Sequence, residues 1–195
     1  MRIGIDIMGG DYAPQKTVHG AILALNELQS DTKIVLFGRK NEIISELKHY
    51  NISQNNFEII DCEEIISMGE HPTKAFKSKP NSSIAKGFEY LSKGLIDGFA
   101  SAGNTGAMFV GGYYSVKAIP GILRPAISSL IPREDGGATV LLDVGANADC
   151  KADVLYQFGI LGSLFSRISR FNNILHAKYL IILLIEAFFA YSGFF

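Results

Sequence analysis

Short apolar runs that stop at glycine, serine or aspartate alternate with stretches whose apolar residues fall at helical spacing, and this alternation constrains the fold most. Arg2–Asp6 reads as a short strand ending before Gly9-Gly10. Pro14 suits a first helical turn, and Val18, Ile22, Leu25 and Leu28 then form one apolar stripe. Lys33–Phe37 is a buried-strand run, Asn41–Tyr50 a polar helix and Phe57–Ile60 another strand. Ser82 or Ser83 can cap a helix striped by Ile84, Phe88, Leu91 and Leu95. Asp97–Ala100 is extended and leads into a helix over Thr105–Val116. Ala138–Val144 is the clearest strand, and Asp149 caps a helix carrying Val154, Phe158, Leu161 and Phe165. Strands alternating with helices predict an α/β fold with a doubly wound, mostly parallel sheet covered on both faces. Ligands in such folds bind beyond the carboxyl ends of the strands.

The 195 residues suffice for a genuine core, with 48% hydrophobic and 19% charged residues. A net charge of −1 argues against nucleic-acid partners, which need a basic surface. Cys62 and Cys150 lie far apart with no ligand spacing around them, so free thiols in a reducing compartment are expected and a metal site is not. Asp6 interrupts what would be the apolar core of a signal peptide, which predicts a cytoplasmic protein.

Chemistry-bearing residues collect after the strands. In Asp6-Ile-Met-Gly-Gly-Asp11 two carboxylates flank a glycine pair. A turn with a helix cap explains it; so does a backbone that approaches a ligand, with Asp6 or Asp11 positioning it. In Ser101-Ala-Gly-Asn-Thr-Gly106 a strand ends in a helix N-terminus, whose unpaired amides and partial positive charge suit an oxyanion. There Gly103 and Gly106 leave room for approach, while Ser101, Asn104 and Thr105 offer neutral hydrogen bonds. Ala107, Gly111 and Ser115 make a face of small residues for close packing of the helix on the sheet. A tight glycine turn accounts for the glycines, but not for Ser, Asn and Thr clustered at the tip. Asp143 and Asn147 follow a third strand, where a loop-bracing aspartate competes with a binding role. The segment His71–Ser83 reads as a solvated loop, or else Lys79, Ser82 and Ser83 help form an electropositive anion pocket. P-loop, dinucleotide, nucleophile-elbow and zinc-helix motifs are absent. Taken alone, the residues describe an α/β protein that binds a small anion.

Several segments, in this order, resemble the PlsX-type phosphate acyltransferases of bacterial phospholipid synthesis. They are IGIDIMGGDYAP, MGEHPTKAFKSKPNSSI, SAGNTGA, GILRPAISSLIP, LLDVGANADC and QFGILGS, and the likeness runs from Met1 to about Phe165. The resemblance implies a doubly wound α/β/α sandwich related to phosphotransacetylases and isocitrate dehydrogenase-like proteins. It implies transfer of a long acyl chain from the thioester of acyl carrier protein to inorganic phosphate, with no cofactor, by a homodimer that can associate peripherally with the inner face of the membrane. Ser101, Gly103, Asn104, Thr105 and Gly106 then form the phosphate or oxyanion cradle, with charge from Lys79 and Arg124. Asp143 and Asn147 position the acyl thioester or brace the neighbouring loops, and no general base is assigned.

The family pattern is lost after about Phe165, where residues 166–195 become an apolar tail that a shifted reading frame would explain. On that expectation the chain is the N-terminal portion of the acyltransferase domain, inactive as it stands. Rival readings are a short-chain phosphotransacetylase that uses coenzyme A, and a non-catalytic remnant that binds acyl carrier protein or a membrane.

Overall fold

The computed structural model describes residues 1–28, 31–134, 138–170 and 182–184. Apart from 182–184, the expected apolar tail from 171 onward lies outside the described residues. The chain divides into two compact units, Met1–Val116 and Lys117–Phe195, and each is described by itself.

In the first unit β1 (Arg2–Asp6), β2 (Lys33–Gly38), β3 (Glu58–Asp61) and β4 (Gly98–Ala100) form a parallel sheet in the order β3-β2-β1-β4. Strand side chains alternate between faces, so β2 sends Ile34 and Leu36 to one core and Val35 and Phe37 to the other. On the first face, α1 (Gln15–Glu27) brings Val18, Ala21 and Ile22, and α2 (Lys40–His49) brings Ile43 and Leu47. On the second, Phe37 stacks edge-on with Phe99 and with Tyr90 of α4 (Ser83–Ser92). Burial of each such side chain is worth about 1.5–3 kcal/mol, so the helices stay on the sheet without special contacts. Helices on both faces make this the expected sandwich.

Two helices complete the unit: α3 (Pro72–Ser78), where the sequence suggested a loop, and α5 (Thr105–Val116), which has the expected bounds. Pro72 starts α3 at its first turn, where a missing amide proton costs nothing. The small residues of α5 do permit close packing, but onto helices instead of the sheet. A Cβ on Gly111 would meet the Phe88 ring of α4 at 2.3 Å and Phe76 of α3 at 2.8 Å.

The second unit departs from the parallel expectation. Here β5 (Ala126–Pro132) pairs antiparallel with β6 (Ala138–Leu142) and parallel with β7 (Ile182–Leu184) in a separate sheet. The strand expected over Ala138–Val144 exists, yet it is largely exposed; its apolar run reads as buried only when it is taken for a central parallel strand. The helix α6 (Ala152–Arg170) packs Val154 and Phe158 against Ala126 and runs across position 165.

Candidate active site

Strand order fixes where the site lies. The chain steps from β1 to β2 to β3 on one side and then returns to place β4 on the other side of β1. The carboxyl ends of β1 and β4 therefore flank the topological switch point, where doubly wound sheets open a crevice. The register Ile5↔Ala100 puts Asp6 beside Ser101 across that line.

Both loops are closely bound together there. The Ser101 hydroxyl lies 2.6 Å from Asp6 Oδ2, and the Gly103 amide donates to Ser101 Oγ at 2.9 Å. The Met8 amide donates to Asp6 Oδ1 at 3.0 Å. A Cβ on Gly9 would lie 2.5 Å from Asp6 Oδ2 and 2.7 Å from the Gly103 nitrogen, so the glycine pair lets one loop approach the other. Asp6 is buried at 2% exposure, and burial pushes its pKa up against the lowering effect of hydrogen bonds from Ser101, Ser83, Met8 and Gly9.

Asn104 caps α5. Its Oδ1 accepts from the Ala107 amide at 2.9 Å, and its Nδ2 donates to the carbonyls of Ser67, Met68 and Glu70 at 3.0–3.2 Å. The side chain is buried and fully engaged, and it ties the 67–70 loop to the start of α5. In this arrangement it holds no spare donor for an oxyanion. The amides of Thr105 and Gly106, in contrast, donate to no acceptor among the described residues, and neither does the exposed Thr105 hydroxyl. Gly106 lacks a side chain for another reason than ligand approach, since a Cβ would sit 2.3 Å from Pro72 Cγ.

Lys79 is also engaged. Its Nζ donates to Glu70 at 2.6 Å and to the Ile65 carbonyl at 2.7 Å, and its hydrogen bond holds Glu70 below the usual carboxylate range. Ser82 is the N-cap of α4, accepting from the Ala85 amide, and Ser83 is buried towards Asp6. Asp11 is exposed. In the second unit, Asp143 accepts from the Asn147 amide and Nδ2, and Asn147 Nδ2 also reaches the Pro125 carbonyl. There the Arg124 guanidinium donates to the Asp149 carbonyl at 2.8 Å. Asp143, Asn147 and Arg124 are thus loop braces within their own unit.

Two participants escape sequence reasoning. Glu70 is the partner of Lys79, and the 67–70 carbonyls are the partners of Asn104. Neither has a local signal, because Glu70 lies nine residues from Lys79, outside helical spacing, and the Asn104 partners lie 34–37 residues away; only the MGEH segment hinted that this loop matters. Among the described residues no three His, Cys, Asp or Glu side chains gather as a metal site, and no helix is long and apolar enough to cross a membrane.

A family model described as "Fatty acid synthesis protein" matches residues 1–178. The chain belongs to that family. A phosphate acyltransferase from Dictyoglomus thermophilum is 44% identical over 165 residues, covering 85% of this chain and 48% of the relative. One from Halothermothrix orenii is 42% identical over 167 residues, covering 86% and 49%. The chain therefore spans about half the length of the curated relatives it matches. Among solved structures, a phosphotransacetylase from Streptococcus pyogenes superposes with a TM-score of 0.64 at 21% identity, covering 86% of this chain and 54% of that one. The EutD phosphotransacetylase from Staphylococcus aureus gives 0.52 at 15%, covering 81% and 50%. These two likenesses bear out the fold, and the family match bears out the PlsX-type resemblance.

Proposed function

We propose that this chain carries the phosphate-binding part of an enzyme that transfers a long acyl chain from acyl carrier protein to inorganic phosphate. The observation that carries the reading is the start of α5 at the switch point, where the Thr105 and Gly106 amides and the Thr105 hydroxyl have no acceptor among the described residues. Those donors, at the positive end of a 12-residue helix, suit a phosphate dianion. The family's phosphate acyltransferases supply the rest of the reading. A phosphate oxygen attacks the thioester carbonyl, a C–O bond forms, and the C–S bond then breaks. The products are an acyl phosphate and the carrier thiol, which takes up a proton.

Most of the barrier in such a reaction is lowered by orientation and by stabilising the tetrahedral oxyanion. Phosphate brings its own negative charge, so this chain needs no general base to activate it. Asn104 contributes by holding the helix start rigid, and Ser101 by fixing the loop that precedes it. The wider reading includes homodimer assembly and peripheral contact with the membrane, as the resemblance implies.

The test is acyl-phosphate formation by a full-length relative carrying Thr105→Ala at the corresponding position, beside phosphate binding to this chain. Loss of the Thr105 hydroxyl is expected to slow turnover by about 10–100-fold, in proportion to one hydrogen bond to a charged group. Unchanged turnover and no phosphate binding overturn the reading. Offering long-chain acyl carrier protein and acetyl-coenzyme A as rival donors decides the substrate class.

A further inference from the structure

Among the described residues Asp6 is the one buried acid, and it makes no ion pair. A carboxylate taken out of water without a cation is costly, and such groups tend to hold their proton instead. The surroundings fit that state. Asp6 Oδ1 accepts the Met8 amide, Ser83 and Gly9 also donate to the carboxyl, and Oδ2 lies 2.6 Å from Ser101 Oγ, the contact across which a proton on Asp6 is shared. An O···O contact of that length serves equally well with the proton on either partner.

The direction of this bond decides what Ser101 can do. Its oxygen already accepts the Gly103 amide. If Asp6 is ionised, the single hydroxyl proton of Ser101 is consumed by Oδ2. If Asp6 carries the proton, Oδ2 donates, both Ser101 lone pairs are filled, and the hydroxyl proton turns away from Asp6. No other acceptor for it exists among the described residues.

We propose that Asp6 is a positioning residue that acts as a buried neutral acid, donating to Ser101 so that the Ser101 hydroxyl donates to an oxyanion held at the start of α5. This rests on the anion-site reading of the preceding section and adds a donor, and a proton dependence, to it. Burial raises the pKa of Asp6, in the direction the scheme needs. The titratable group whose charge is coupled to Asp6 is Cys62, just after β3, whose thiol is pushed up to about 12 and so stays neutral. Cys62 in turn feels Asp61 and Lys86, and Lys86 is itself paired with Glu89 at 3.0 Å.

The experiment titrates sulfate, whose charge is constant through the neutral range, and phosphate into the full chain by calorimetry. It is run on the unaltered chain, Ser101→Ala and Asp6→Asn, while the Asp6 carboxyl carbon is followed by NMR against pH. Asn is the chosen mimic because its Oδ1 can accept from Met8 while its Nδ2 donates to Ser101. Sulfate affinity of the unaltered chain is expected to fall as pH rises through the Asp6 midpoint. Ser101→Ala is expected to weaken binding by about 10–100-fold. Asp6→Asn is expected to keep the affinity and lose the pH dependence.

An Asp6 carboxyl that is already ionised at neutral pH overturns the proposal. So does loss of binding in a folded Asp6→Asn, or full binding in Ser101→Ala. If the unaltered chain binds neither anion, the site reading itself falls and takes this inference with it. Should Asp6→Asn fail to fold, the carboxyl midpoint and the pH dependence of the unaltered chain decide the matter.

Discussion

Replacement of Asn104 by Ala is the sharpest stability test of the site, because this one amide caps a helix and holds a loop at once. Removing Oδ1 orphans the Ala107 amide, a cap loss worth about 0.5–2 kcal/mol. Removing Nδ2 frees the carbonyls of Ser67, Met68 and Glu70, which share two protons. At about 0.5–1.5 kcal/mol net for each proton donated, that adds about 1–3 kcal/mol. The sum, about 1.5–5 kcal/mol, is a large share of the 5–15 kcal/mol that typically separates folded from unfolded domains. Asn104→Asp separates the two roles. It keeps the cap and places a negative charge at the helix start, a gain of about 0.3–1 kcal/mol, but it turns a donor into a charge facing carbonyl oxygens. Both variants should therefore unfold at lower urea than the unaltered chain, as followed by far-ultraviolet circular dichroism, and the 67–70 loop should become the first site of proteolytic cleavage. An Asn104→Ala variant within about 0.5 kcal/mol of the parent, or an Asn104→Asp variant more stable than it, refutes the clamp.

Gly9→Ala forces a methyl group to within 3 Å of Asp6, Ser101 and the Gly103 backbone, and should cost about 1–3 kcal/mol in urea unfolding. A neutral outcome means the β1 and β4 loops are not tightly packed. Cys62, 1% exposed and with its thiol pushed up to about 12, should resist iodoacetamide under native conditions while the half-buried Cys150 reacts first. Two of the shifted carboxyls, Glu70 and Asp6, pull stability in opposite directions with pH. Glu70 sits below its ordinary range, so its contribution is present above that range and is lost as pH falls through its folded pKa; Glu70→Gln should soften the acid limb. Asp6 sits above its ordinary range, so the folded state holds the extra proton and stability falls as pH rises from about 3.9 through the Asp6 midpoint. Asp6→Asn should abolish that slope in urea midpoints measured across pH.

Local signals carried much of the fold into view. Ser82 caps α4, and the apolar stripe through Ile84 and Phe88 is buried, because capping and 3.6-residue periodicity act within a few neighbours. Leu95, the last member of that stripe, lies beyond the helix end and is 45% exposed. What stayed hidden was pairing. The run Ala126–Pro132 has two serines in its middle and offers no clean alternation, so β5 was missed, and with it the antiparallel partner that explains the exposed β6. The site was legible as a place more than as a set of roles. Thr105 does begin a helix after a strand, and Asp6 does meet Ser101. Yet whether Asn104 or Lys79 faces a ligand or a neighbouring loop depends on partners 34–37 residues away for the first and 9–14 for the second. No window of sequence displays those distances.

The return of the chain to β4 has a kinetic side. Asp6 and Ser101 are 95 residues apart, whereas β1, β2 and β3 pair with successive neighbours. Closing a loop of 95 residues costs about 4 kcal/mol in chain entropy before any contact repays it. The three-strand ribbon can thus assemble on the emerging chain while the β1 edge waits for its last neighbour. Until β4 arrives, one flank of β1 is an open row of backbone donors and acceptors, able to pair with the wrong strand. The contact that joins the β1 and β4 loops at the proposed anion site is also the one that seals this edge, so a nascent chain completes the switch point and closes the edge to mispairing in a single step.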